Sequence, residues 1–433
     1  MRFFKIILTI TVVFFFGLSA LPLWARQKSA AKKPAAPPAK ASTPTKEATA
    51  PAKQPAAAKQ PAAAKQPAKA PALAEFDKMF ASWKELLADL RRLQQKYINT
   101  PRKGGLRDAV QKEFDERVRA GEELEPKIIE AAEKALPVAG ETKDEIGAFL
   151  IEQLKYYVEH DNDEAAVRIA RALIDNGYDN PRVYNYGGIA AFSANDFDLA
   201  AKWLKTGDEQ SALEVSAKQF LTHIKQYQEM WKTERELQEA EAKADDLPRV
   251  LLKTTKGDIV VELFENEAPN TVANFVSLVE REFYDGIKFH RVLPNFMAQG
   301  GDPNGDGSGG PGYNIPDEIN RSDFRNHFRG SLSMAKTQLP DSGGSQFFLM
   351  FRPSGPAAGN NLNGQHTVFG RVIDGLEVLA RLQRIDPEKQ EPGVKADRIL
   401  EAKVLRKRKT PYVPKKVGEE PAADAAGDEK KDG

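Results

Sequence analysis

The hydrophobic period of this chain changes once, at Pro248, and that change rules out a single uniform fold. Ahead of it, apolar side chains recur at alternating steps of three and four, the spacing of one helix face. Beyond it they fall in short runs separated by glycine-rich joints, the grammar of strands and tight turns. A proline suits the junction, because it holds the preceding residue extended and so ends a helix. The sequence therefore predicts a multidomain protein, with an all-α helical module over 73–246 followed by a mainly-β unit over 249–407. A length of 433 residues fits this division, since roughly one domain per 150 residues gives two or three units.

The two ends have a different character. Arg2 and Lys5 precede an apolar run over 6–21, followed by Pro22 and the small residue Ala25. This is the layout of a secretory signal over 1–25 or, if uncleaved, of an N-terminal anchor. Both readings export the rest of the chain, so the expected location is periplasmic or otherwise extracytoplasmic, and membrane contact is expected only through an uncleaved segment. Residues 26–72 are built from Ala, Pro, Lys and Gln, with the unit Lys-Gln-Pro starting at Lys53, Lys59 and Lys65. Prolines forbid a helix there and no large apolar side chain is present to bury, which predicts a disordered tether. The charged stretch 408–433 lacks apolar period and is expected to be a disordered tail.

Cysteine is absent, which removes disulfides, thiolate metal sites and cysteine nucleophiles. The net charge is +1, and the basic excess is confined to the N-terminal quarter. No electrostatic footprint for nucleic acid follows from that.

Within the helical module, Phe76, Met79, Trp83, Leu86, Leu90, Leu93 and Tyr97 form one stripe that ends before Pro101. Such a stripe must be covered, by the rest of the module or by a partner helix. Further on, Tyr184, Gly188, Ala191, Ala200 and Leu204 stand at tetratricopeptide offsets, and Ala166 precedes Ala200 by the 34 residues of that repeat. The stretch resembles one or two tetratricopeptide-like hairpins, which implies a possible protein partner for the module. A long charged helix carrying Phe220, Ile224, Tyr227 and Trp231 then leads to about Asp246, its charges reading as a solvated face.

Beyond Pro248, strands are predicted at 250–253, 259–264, 288–292, 296–299, 331–334, 346–350, 368–372 and 399–405. One helix is predicted to begin at Pro269 and carry Val272, Phe275, Leu278 and Val279; another covers 376–382. Many antiparallel strands with two helices suggest a closed barrel plugged at its ends.

Three ordered blocks in this unit carry chemistry. Residues 289–302 read Phe-His-Arg-Val-Leu-Pro-Asn-Phe-Met-Ala-Gln-Gly-Gly-Asp, residues 344–348 read Gly-Ser-Gln-Phe-Phe, and residues 362–370 read Leu-Asn-Gly-Gln-His-Thr-Val-Phe-Gly. Together they resemble the cyclophilin-type peptidyl-prolyl cis/trans isomerases. The resemblance implies an eight-stranded closed barrel with two capping helices and a substrate groove on its outer wall. It assigns Arg291 as the catalytic arginine, Gln299 as a partner for the substrate backbone, and Phe296, Met297, Phe348, Leu362 and His366 as the proline pocket, with Met334 and Ala335 in the groove wall. It also implies proline-containing polypeptides as substrates and no metal or organic cofactor.

The chemistry suits these residue types. An X-Pro amide is kept planar by resonance behind a barrier of about 18–20 kcal/mol. An apolar cup can hold the pyrrolidine ring, and a guanidinium aimed at the prolyl nitrogen favours the twisted amide. No bond to substrate breaks and no proton moves, so His366 reads as a pocket wall with a polar edge. Taken singly, Arg291 would be a surface strand residue and Phe296, Met297 and Phe348 would be core; the ordered blocks overrule that.

Two substitutions depart from well-known members of the family. Asn361 stands where many have a tryptophan that helps bind cyclosporin, and Lys336 where an asparagine is common. The resemblance thus implies retained activity with weak cyclosporin sensitivity. Asp302, Asn304, Asp306 and Gly307 imitate the start of a calcium loop, but Tyr313 replaces the bidentate Glu at the twelfth position. The competing reading of the whole chain is a non-catalytic prolyl-peptide scaffold, or a cell-envelope adaptor working through the helical module.

Overall fold

The computed structural model describes residues 70–101, 105–389, 394–409 and 411–419. The targeting segment and the tether lie outside the described residues.

Among the described residues, seven α-helices precede the strands: α1 (Pro71–Asn99), α2 (Leu106–Ala135), α3 (Lys143–Glu159), α4 (Asp163–Asp175), α5 (Arg182–Ser193), α6 (Phe197–Glu209) and α7 (Val215–Ala244). The α1 stripe is covered within the chain. Phe76, Phe80, Trp83, Leu86, Leu90 and Leu93 are buried, and Phe80 meets Phe149 of α3 edge-on at 5.5 Å. Small residues let α5 and α6 approach closely: a Cβ on Gly188 would collide with the Leu204 side chain. Asn195, in the left-handed region at φ 65°, makes the sharp joint between them. Asp196 then caps α6 by accepting from the Leu199 amide at 3.1 Å.

The described residues form eight strands, β1 (Arg249–Thr254), β2 (Gly257–Leu263), β3 (Arg291–Leu293), β4 (Met297–Gly300), β5 (Ser331–Met334), β6 (Phe347–Met350), β7 (Val368–Asp374) and β8 (Ile399–Arg406), with helices α8 (Pro269–Glu280) and α9 (Leu376–Arg381) between them. They form one antiparallel sheet in the order β3-β4-β6-β5-β7-β2-β1-β8. Val261, Phe275, Phe289, Leu332, Phe347 and Phe369 fill its concave side. The sheet is a curled half-barrel, where a closed barrel was expected. No ladder joins β3 to β8; the stretch ahead of β3 reaches the start of β8 through the amides of Gly286, Phe289 and Ile399. Strands as short as the three residues of β3 run out of backbone partners before the ends can meet along their length.

The tail differs from expectation over its first part. Tyr412 is buried against the sheet core, its hydroxyl donating to Glu265 at 2.9 Å, while the Lys415 amide donates to Asn270 Oδ1 at 2.7 Å. One aromatic ring in an otherwise polar stretch is enough to lay it on the domain.

Helices and sheet are joined by buried charge. The loop ahead of β5 sends Arg325 to Glu234 (2.7 and 2.9 Å) and Glu241 (2.5 Å) of α7, and Arg329 to Asp163 and Glu164 of α4, both at 2.9 Å. Between these two arginines Phe328 enters the helical core, edge-on to Trp231 at 4.7 Å.

Candidate active site

Strand alternation decides what faces outward. Arg291, Gln299, Phe348 and Ser333 lie opposite one another across β3, β4, β6 and β5. Leu293, Met297 and Met350 make the neighbouring row two residues along. Directly opposed residues share a face, so these two rows form one outer wall. The intervening row, Val292, Ala298, Leu349 and Leu332, points into the sheet core.

An apolar cup sits on that wall, separate from the main core. Met297, Phe348 and Met350 form its buried floor, with Leu293, Phe296, Ala335 and Leu362 packed around them. The Arg291 guanidinium lies 5.7 Å from the Phe296 ring centroid at the lip of the cup. Among the described residues no carboxylate forms an ion pair with it; the nearby Asp386 carboxylate feels its charge but pairs with Lys389 at 2.8 Å.

Gln299 holds the polar side of the groove. Its Nε2 donates to Gln346 Oε1 at 2.9 Å, and Gln346 Nε2 donates to the carbonyls of Gly307 and Gly309, both at 2.9 Å. The glycine-rich loop is thereby fastened to the groove. Its imitation of a calcium site has a local cause, since the Asp302 carboxylate accepts from the loop's own amides at Asn304, Asp306 and Gly307. Gly301 is required where the chain leaves β4: at φ 82° its Cα passes so close to the Ser345 carbonyl that a Cβ would not fit.

His366 stands edge-on to Phe348, with centroids 5.5 Å apart, and its Nδ1 donates to the Met334 carbonyl at 3.0 Å. Burial lowers its pKa below the usual histidine value, so the ring is neutral at pH 7. His327 also packs on Phe348, its ring nearly parallel with centroids 5.9 Å apart. It is fully buried, and burial pushes its pKa down to about 3. Its Nδ1 donates to Asn363 Oδ1 at 2.9 Å, and the Ser333 hydroxyl lies between its Nε2 (2.9 Å) and the Thr367 carbonyl (3.0 Å). The Phe348 ring thus packs against two imidazoles, one parallel to it and one edge-on.

Eight of the nine residues assigned from sequence, Arg291, Gln299, His366, Phe296, Met297, Phe348, Ala335 and Leu362, gather on this wall. Met334 does not. It lies opposite Phe347 and packs in the sheet core, because Ser333 takes the outward position on β5 and the next residue must face in. What Met334 gives the groove is its carbonyl. Lys336 at the rim pairs with Asp317 at 3.0 Å. Gln346, His327, Ser333 and Asn363 were not foreseen as site residues. Gln346 could have been found from its place in the second block, whereas His327 lies in a loop with no motif.

Comparison with known proteins follows the same boundary. Residues 249–404 match the family described as cyclophilin type peptidyl-prolyl cis-trans isomerase/CLD. A peptidyl-prolyl cis-trans isomerase of Synechococcus elongatus is 45% identical over 161 residues, covering 37% of this chain and 97% of that protein. Peptidyl-prolyl cis-trans isomerase B of Bacillus subtilis is 47% identical over 132 residues, covering 30% of this chain and 87% of the relative. A crystal structure of a Cryptosporidium parvum cyclophilin type isomerase in the presence of the dipeptide Ala-Pro aligns at a TM-score of 0.32 with 34% identity, covering 36% of this chain and 98% of that one. The family match leaves the seven helices outside it.

Proposed function

Because this chain belongs to the cyclophilin-type peptidyl-prolyl cis-trans isomerases, we propose that its outer groove turns the X-Pro bonds of exported, unfolded or partly folded polypeptides. The observation that carries the reading is Arg291, a guanidinium held in no ion pair among the described residues, at the lip of a cup floored by Met297 and Phe348. The cup takes the pyrrolidine ring, and Arg291 donates toward the prolyl nitrogen as its lone pair leaves conjugation. Gln299, fixed by Gln346, holds the flanking backbone. The neutral His366 edge closes the wall without taking a proton. No covalent intermediate forms. Each tenfold in rate needs about 1.4 kcal/mol of preferential binding to the twisted amide, and one charge-assisted hydrogen bond is of that size or larger.

Export is supported by Arg2 and Lys5 ahead of the apolar run over 6–21. Slow X-Pro exchange limits the folding of newly exported chains, which gives such an enzyme its substrates. The test is isomerisation of a short X-Pro peptide by the full chain and by Arg291→Ala. Turnover by the first and its near-complete loss in the second are expected, and equal turnover would remove Arg291 from the mechanism.

A further inference from the structure

Asp161 belongs to the helical module, yet it grips the isomerase groove from behind. It lies in the turn between α3 and α4, is 1% exposed and has φ 62°. Its Oδ1 accepts from the Asn295 amide at 2.7 Å and its Oδ2 from Arg384 Nη2 at 2.6 Å. The His160 carbonyl accepts from the same Arg384 nitrogen at 2.9 Å, and the Asp161 carbonyl from Arg329 Nη2 at 3.1 Å.

Both targets of this carboxylate touch the groove. Asn295, also left-handed at φ 59°, is the turn residue between β3 and β4 and directly precedes Phe296. Arg384 precedes Ile385, which pairs with Val292 of β3 through two backbone hydrogen bonds of 2.8 and 2.9 Å. Strand β3 is an edge strand of three residues, so this short pairing is its support on the side away from β4. One carboxylate therefore sets the turn that aims Phe296 and the segment that backs the strand carrying Arg291. A left-handed non-glycine residue persists only where its surroundings fix it, and here one of the fixing groups comes from the helices.

We propose that Asp161 is a positioning residue for the isomerase reaction, and that the helical module completes the groove through it. The inference rests on the reading of the groove given above. A displacement of about 1 Å in a positioning element can cost up to 10²-fold in rate. In the full chain, Asp161→Ala is expected to lower kcat/KM by about 10- to 100-fold, mostly in kcat because the lost alignment matters in the transition state. Asp161→Asn keeps an acceptor for the Asn295 amide and restores most of the activity. Glu241→Gln weakens the same domain contact at its far end, at Arg325 and Arg371, and leaves kcat/KM near wild type. Hydrogen exchange at the Asn295 amide speeds up in Asp161→Ala alone. Wild-type kcat/KM in Asp161→Ala overturns the inference, as does an equal fall in Glu241→Gln or unchanged Asn295 exchange. Failure of the isomerase reading shows differently, as lack of turnover in the unmutated chain, while Asn295 exchange still reports on this inference.

Discussion

Two sets of arginines divide the sheet domain between them. On the side facing the helices, Arg325, Arg329 and Arg384 are each held by at least one carboxylate of the helical module, and the first two are almost completely buried. On the groove side Arg291 has an aromatic ring for company and, among the described residues, no ion-paired carboxylate; Asp386 feels its charge without pairing with it. The same side chain serves two ends. Where its charge is matched by the chain itself it fixes the position of one domain on another; where it is unmatched beside an apolar cup it is left for a ligand. Burying a matched pair gains little net stability, but removing one member is costly because a bare charge stays behind.

The sharpest way to break this contrast is Arg329→Ala. It strands the buried Asp163 carboxylate and is expected to lower unfolding stability by about 3–5 kcal/mol, read by denaturant titration of the full chain. Arg291→Ala should do the reverse. Activity on a short X-Pro peptide falls by about 10²- to 10³-fold, the range for losing one preorganised donor, while stability stays within about 0.5 kcal/mol. A large stability loss in that variant would make Arg291 structural and dissolve the distinction.

A smaller effect concerns the imidazole behind Phe348. In the unfolded chain His327 binds a proton near the ordinary histidine value of 6.5, whereas burial holds it to about 3 in the folded protein. Between those values the unfolded state carries more protons, so stability present above pH 6.5 drains away as the pH falls. His327 accounts for about 1.4 kcal/mol per pH unit across that window. His327→Gln removes that slope, so its stability deficit relative to wild type should shrink from pH 7 to pH 4; a constant deficit would show that the ring is not held neutral. The smallest expected effect is that of cyclosporin. Asn361 is exposed and offers its carbonyl to Gln365, with no indole at that position, so weak inhibition is expected and nanomolar inhibition would contradict it.

Much of the groove is legible in the sequence, for a local reason. Arg291, Phe296, Met297 and Gln299 lie within nine consecutive residues, and a strand alternates its faces every residue, so spacing alone nearly places them. Met334 shows how narrow that reasoning is: one step along β5 separates a groove wall from the core, and only pairing with Phe347 decides which. The start of the tail lies on the sheet domain through a single anchoring ring, Tyr412, which composition averages away.

The charges on α7 are the clearest case of what spacing hides. Glu234 and Glu241 sit in a run of alternating acids and bases that reads as a solvated helix face, yet both are buried against Arg325. The sequence alone determined the division at Pro248, the order of helices and strands, and most of the residues around the cup, because periodicity and compact motifs are properties of neighbours along the chain. The tertiary structure alone decided which charges are buried, that the sheet stays a half-barrel, and that Asp161 reaches Asn295. Those outcomes depend on groups more than eighty positions apart meeting in space, and the worth of a charge is set by the dielectric and the partners found there, which no local pattern encodes.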